Sequence, residues 1–180
     1  AHQTLVNFRQ HKEVLSFSVL SAFFIQVIQV FLVVCLYKLL KQNGVYTAIF
    51  MVIFTITAVP IAMFNELSLI ASIWLDNNPS LLIGINDNQI NNVIFFLLNM
   101  HEKGIMVVHV FWGLWLIPMG LLVYKSPIIP KFIGVLLIIG GGGYCLDTVT
   151  YFLTNSDKFM IAQYTFLGEI LLPIALLWAS

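Results

Sequence analysis

Apolar residues run in blocks of twenty or more along most of the chain, and short polar clusters separate the blocks. Residues 14–40 form the first block and end at Lys41-Gln42-Asn43-Gly44, a turn with a helix-stopping glycine. Residues 45–75 form the second and end at Asp76-Asn77-Asn78-Pro79. A third run, residues 90–124, is interrupted by His101-Glu102-Lys103, so residues 104–124 read as a span and residues 88–103 as a helical extension of it. The fourth starts at Pro130, a favoured first-turn residue, and covers 130–153; the fifth covers 159–178. About 20 apolar residues suffice to cross a bilayer as a helix. Runs this long and uniform do not fit the short alternating strands of a barrel, the other structure that satisfies its backbone in lipid. The pattern predicts an all-α, polytopic transmembrane helical bundle, one domain over residues 1–180 with five spans.

Composition agrees. Of 180 residues, 60% are hydrophobic and 9% charged, against about 25% charged in a soluble domain, and mean hydropathy is +0.97. There is too little polar surface to cover a water-soluble globule. Net charge is zero without a basic run, so no footprint for nucleic acid exists; the expected partner is membrane lipid. Cys35 and Cys145 lie in apolar spans and read as small buried hydrophobes rather than a disulfide or metal framework. Orientation is balanced: Lys38, Lys41, Lys125 and Lys131 flank one side, Arg9, Lys12, Lys103 and Lys158 the other. The two short, purely basic loops are assigned to the cytoplasm.

Against that background, Glu66, Asp147 and Glu169 stand inside spans, where a charge costs at least roughly 2.5–3.5 kcal/mol near the bilayer centre. At about 1.5 Å rise per residue, Glu66, His109, Asp147 and Glu169 fall between the same boundary and the midplane. Asp147 shares a helix face with Tyr144, Thr148 and Tyr151. No lysine or arginine lies deep in a span, so the acids are protonated, paired with His109, or hold a cation. Interhelical hydrogen-bond glue is the plainer reading, and a site for a small ligand, lipid, proton or cation the sharper one. The site reading predicts that Asp147 and Glu169 share a proton, water or cation, with Glu66 and His109 contributing and Tyr144 or Tyr151 donating.

Several motifs carry no chemistry on inspection. His101-Glu102-Lys103-Gly104 lacks the second histidine of a zinc-protease helix, position 105 being Ile. No Glu-x-x-His pair supports a di-metal centre, and only His109 is deep enough for a haem. Gly140 to Gly143 interrupts a span without the Lys-Ser/Thr of a phosphate loop. With Gly134, Gly141, Cys145 and Thr148 on one stripe, close helix packing is the better reading. No metal site is assigned and no cofactor is named.

The stretch His101…Gly104…Phe111-Trp112-Gly113-Leu114-Trp115, Tyr124-Lys125-Ser126, Ile129-Pro130-Lys131-Phe132-Ile133-Gly134, Gly143-Tyr144-Cys145-Leu146-Asp147 and Gly168-Glu169…Leu177-Trp178 resembles a bacterial membrane family known as domain of unknown function 4386. The resemblance implies about six spans, of which this chain would be the last five, and a bacterial inner (cytoplasmic) membrane. It marks His101, Asp147 and Glu169 as signature polar positions; Glu66 and His109 rest on depth and face alone. A non-enzymatic membrane protein binding a small ligand, lipid, proton or cation is the leading functional expectation. An accessory subunit packed against other membrane subunits, and an intramembrane hydrolase or metal enzyme, are its rivals.

Overall fold

The computed structural model describes residues 2–154 and 160–178. Among them every regular element is helical: α1 (His2–Gln10), α2 (Lys12–Leu40), α3 (Val45–Asn77), α4 (Asp87–Lys125), α5 (Lys131–Thr154), α6 (Ala162–Thr165) and α7 (Leu167–Trp178), with single 3-10 turns at Lys41–Asn43 and Pro79–Leu81. The helices α2, α3, α4 and α5 are each long and apolar enough to cross a membrane, and the chain is an integral membrane protein. Phe17, Phe24 and Phe31 repeat every seven residues along α2 and are 69, 66 and 69% exposed. Such a stripe is unfavourable in water and ordinary against lipid tails. Hydroxyls on the spans are absorbed locally; Thr55 donates to Met51 O at 2.9 Å and Ser72 to Leu69 O at 2.7 Å.

Element ends follow local chemistry. Pro79 stands just beyond the end of α3. At the start of α4, Gln89 N donates to Asn86 Oδ1 and Asn86 N donates to Gln89 Oε1, both at 3.0 Å, a reciprocal capping box. From there α4 runs unbroken for 39 residues, joining the 88–103 extension to the third span.

The chain divides into two compact units, Ala1–Ile28 with Pro60–Ile105, and Gln29–Val59 with Met106–Ser180. In the first, Phe8 of α1 packs with Leu75, Ile90 and Ile94, and Leu82 of the α3–α4 connection joins them. Ile94 of the α4 extension is thereby fully buried, while Phe96 stays 63% exposed. Arg9 Nε donates to Asp76 Oδ1 at 2.8 Å, Arg9 Nη2 donates to Asn91 Oδ1 at 2.6 Å, and Lys12 also pairs with Asp76. The α1 helix falls outside the span pattern because it is short and mostly polar; a few apolar side chains and Arg9 dock it.

In the second unit Leu36, Met51, Leu116, Leu122 and Leu137 form the core, and a glycine seam sets how closely α4 and α5 approach. A Cβ built on Gly113 would lie 2.5 Å from Gly141 O, and one on Gly120 would lie 2.6 Å from Gly134 O. The two pairs are antiparallel and seven residues apart, so one face of each helix carries both. Further along this face Cys145 Sγ lies 3.9 Å from Val110 O, and Thr148 Oγ1 donates to Met106 O at 3.0 Å. The small-residue stripe of α5 is thus its contact with α4, as in membrane packing driven by close backbone approach.

The last apolar segment differs from the expected continuous span 159–178. Residues 155–159, and with them the expected start of the span, lie outside the described residues. From Ala162 the segment is two helices, of 4 and 12 residues, parted at Phe166. Phe166 O accepts from Glu169 N at 3.0 Å in a tight turn. No proline stands at the break, so hydropathy alone does not reveal it.

Candidate functional site

The glycine run decides where α6 sits. Gly140 and Gly143 face it: a Cβ on Gly143 would lie 2.6 Å from Thr165 Oγ1, and one on Gly140 would lie 3.0 Å from Thr165 O. Gly141 faces α4, and a Cβ on Gly142 would meet nothing within 4 Å. Three of the four glycines therefore let two neighbours close on α5 from different sides. This approach brings the start of α6 onto Asp147, which is 1% exposed. Its Oδ1 accepts from Ile161 N at 2.6 Å and its Oδ2 from Ala162 N at 2.8 Å. A carboxylate acting here as acceptor-only is well matched to two backbone donors that precede any intrahelical partner. Asp147 thus positions α6.

Beside this anchor lies an open pocket of about 380 Å³, lined by His109 and Trp112 of α4, Tyr144 of α5, Met160, Ala162, Gln163, Phe166 and Glu169 of α7. His109 and Trp112 are three residues apart and share a helix face, with ring centroids 5.2 Å apart. The Tyr144 ring stands edge-on to both, at 5.2 and 6.2 Å. The Tyr144 phenol and Glu169 carboxyl are hydrogen-bond partners, the phenol donating. Among the described residues, two buried atoms here have no hydrogen-bond partner: His109 Nδ1 and Glu169 Oε1. A buried polar atom without a partner costs about 1–3 kcal/mol, and both atoms retain the capacity for a hydrogen bond. The pocket therefore combines a carboxyl oxygen, an imidazole nitrogen and aromatic walls.

The first unit holds a second polar pair. His101 Nε2 and Glu66 Oε1 are 3.2 Å apart; with the proton on Nε2 the imidazole donates to the carboxylate. Asn65 Nδ2 donates to His101 O at 3.0 Å, and Gly104 makes room for this, since a Cβ there would lie 1.9 Å from Asn65 Oδ1. Here one amide holds the helix that presents the histidine.

The sequence candidates thus fall into two groups. Glu66 and His101 pair in the first unit, while His109, Tyr144 and Glu169 line one pocket of the second, with Asp147 beside it holding α6. Tyr151 is buried, its ring 5.5 Å from Phe152, and is not a lining residue of that pocket. Asp147 accepts one backbone amide on each oxygen, while Glu169 lines the pocket with His109 and Tyr144. Among the described residues no group of three or more His, Cys, Asp or Glu could hold a metal ion. Trp112, Gln163 and Phe166 join the sequence candidates as lining residues of the pocket. Trp112 was legible as the i+3 neighbour of His109, and Gln163 as an amide within an apolar segment.

A family model described as Domain of unknown function (DUF4386) matches residues 1–179, extending the likeness beyond the C-terminal half on which the motifs lie. A protein of Archaeoglobus fulgidus described as an uncharacterized protein is 40% identical over 63 residues, which cover 35% of this chain and 38% of that relative. The match spans less than two fifths of the relative's length. No solved structure matches the chain at a significant level.

Proposed function

The chain belongs to the family Domain of unknown function (DUF4386), and we propose that it is a non-enzymatic membrane protein whose second unit binds a small organic ammonium ion. The observation that carries this reading is the pair of unpartnered atoms, Glu169 Oε1 and His109 Nδ1, lining one aromatic-walled pocket. An ammonium with two or more N–H groups donates to both atoms. Its charge lies against Trp112 and Tyr144, the ring types that attract cations most strongly. A volume of about 380 Å³ is at the low end for small-molecule sites, which favours a short amine. Asp147 serves the site indirectly, by holding the α6 backbone that carries Gln163.

In the same reading α6 and α7 complete a fifth crossing. The 17 residues Ala162–Trp178 rise about 25 Å at 1.5 Å each, against a hydrocarbon thickness of about 30 Å. The setting is a bacterial cytoplasmic membrane, with the lysine-bearing loops at residues 41–44 and 125–130 on the cytoplasmic face.

The test is thermal unfolding of detergent-solubilised protein in n-butylammonium, tetramethylammonium or sodium chloride at equal ionic strength. Butylammonium should raise the midpoint most, because tetramethylammonium has no N–H to give. Glu169→Gln should abolish the difference among the salts. Equal midpoints in all three salts for the unaltered protein would overturn the reading.

A further inference from the structure

Four lysines of the second unit, Lys38, Lys41, Lys125 and Lys131, are exposed, and among the described residues none of them makes an ion pair. The α2–α3 connection is tied to the last turn of α4, Asn43 Nδ2 donating to Leu122 O at 3.2 Å. Lys41 lies 5.8 Å from the Tyr37 ring centroid and Lys131 5.8 Å from that of Tyr124, so two of the ammonium groups are held against the protein. The described carboxylates of this unit, Asp147 and Glu169, make no ion pair with these lysines. Positive charge at these connections is therefore uncompensated within the described protein.

Beside Lys131 opens a groove of about 350 Å³, lined mainly by Ile128, Pro130, Phe132, Leu171, Ile174 and Trp178. In sequence Lys131 falls between Pro130 and Phe132, two of its walls, and Lys125 is the last residue of α4; neither lysine is itself a wall of the groove. The lining is apolar side chains alone. An apolar trough that starts next to two lysines without an ion pair, on a protein that lives in lipid, is complementary to an acyl chain attached to an anionic headgroup. We propose that this groove is a binding site for an anionic diacyl phospholipid, its phosphate on Lys125 and Lys131 and one acyl chain along Phe132, Leu171 and Ile174. Trp178, 90% exposed, fits the headgroup level that tryptophan prefers. The inference does not depend on the ammonium pocket, with which the groove shares no lining residue.

Native mass spectrometry of the detergent-solubilised protein with phosphatidylglycerol or phosphatidylcholine of identical acyl chains tests the proposal. Juxtamembrane lysines near an anionic surface each contribute enough that two should favour the anionic lipid about 30-fold. In Lys125→Gln/Lys131→Gln the preference should fall to about unity, with helical content by circular dichroism unchanged because both side chains are exposed. Ile174→Trp, which fills the groove, should reduce the binding of both lipids together. Equal binding of the two lipids by the unaltered protein would overturn the proposal, as would a preference that survives the double substitution. Displacement of phosphatidylglycerol by inorganic phosphate would also overturn it, marking a plain anion site, and so would a dimer that forms as lipid is removed, marking a second copy as the occupant.

Discussion

Replacing Gly141 and Gly142 one at a time by alanine separates close packing from helix propensity at adjacent positions. A Cβ on Gly141 would lie 2.7 Å from Gly113 O, 2.8 Å from Ile117 Cγ1 and 3.2 Å from Ile117 N. Two of these atoms are backbone, so α4 and α5 must move apart rather than one side chain rotate. Overpacking of this kind costs about 1–3 kcal/mol, and backbone neighbours place the cost toward the upper end. Alanine also recovers the roughly 0.5–1 kcal/mol that glycine costs inside a helix. Gly141→Ala should therefore destabilise by about 2 kcal/mol. Gly142→Ala meets nothing within 4 Å and should be neutral or stabilise by up to about 1 kcal/mol. The two variants should differ by about 3 kcal/mol, more than a hundredfold in the unfolding equilibrium. Reversible unfolding in mixed micelles with increasing sodium dodecyl sulfate, followed by tryptophan fluorescence, reads this difference. If Gly141→Ala is as stable as the unaltered protein, or Gly142→Ala is the weaker of the two, the seam does not set the α4–α5 distance.

Two further outcomes follow from named contacts. Asp147→Ala leaves Ile161 N and Ala162 N without their acceptor and should cost about 2–6 kcal/mol locally, at about 1–3 kcal/mol per donor, the part-buried Ile161 N contributing the smaller share. Hydrogen exchange should rise at those two amides and through Thr165, and unchanged exchange there would remove Asp147 from its anchoring role. Asp76→Asn removes the shared partner of Arg9 and Lys12, partly exposed pairs together contributing about 1–2 kcal/mol. Trypsin cleavage after Arg9 should accelerate at low salt and change little at high salt, where screening has already weakened the pairs; an unchanged rate at low salt would deny that these pairs dock α1.

Much of this architecture is legible in the sequence where the signal is long and physical. The four long helices follow from apolar runs that leave no other backbone solution in lipid, and the α5 stripe of Gly134, Gly141, Cys145 and Thr148 reads directly as a close-packed face. What escapes is short or cooperative. The α1 helix has a weak apolar pattern and depends on Phe8 and Arg9 meeting partners more than 60 residues away. The capping box of Asn86 and Gln89 is a local signal, short enough to be masked by the polar loop around it. The break at Phe166 has no residue of its own to announce it, arising where the anchored turn of α6 gives way to α7. At the site, depth along each helix singled out Glu66, His109, Asp147 and Glu169, but depth says nothing of azimuth. It therefore could not foresee that Glu66 is matched to His101, or that Asp147 spends both oxygens on backbone amides while Glu169 keeps one free.

The measurement that bears most directly on the ammonium pocket is a calorimetric titration of the purified protein with n-butylammonium. The account predicts one molecule bound per chain. Glu169→Gln should lower the affinity about 10- to 100-fold, since a hydrogen bond to a charged group contributes about 1.5–3 kcal/mol. His109→Ala should lower it less, and Lys125→Gln/Lys131→Gln should leave it unchanged. Absence of saturable binding to the unaltered protein, or the same affinity in Glu169→Gln, would contradict it.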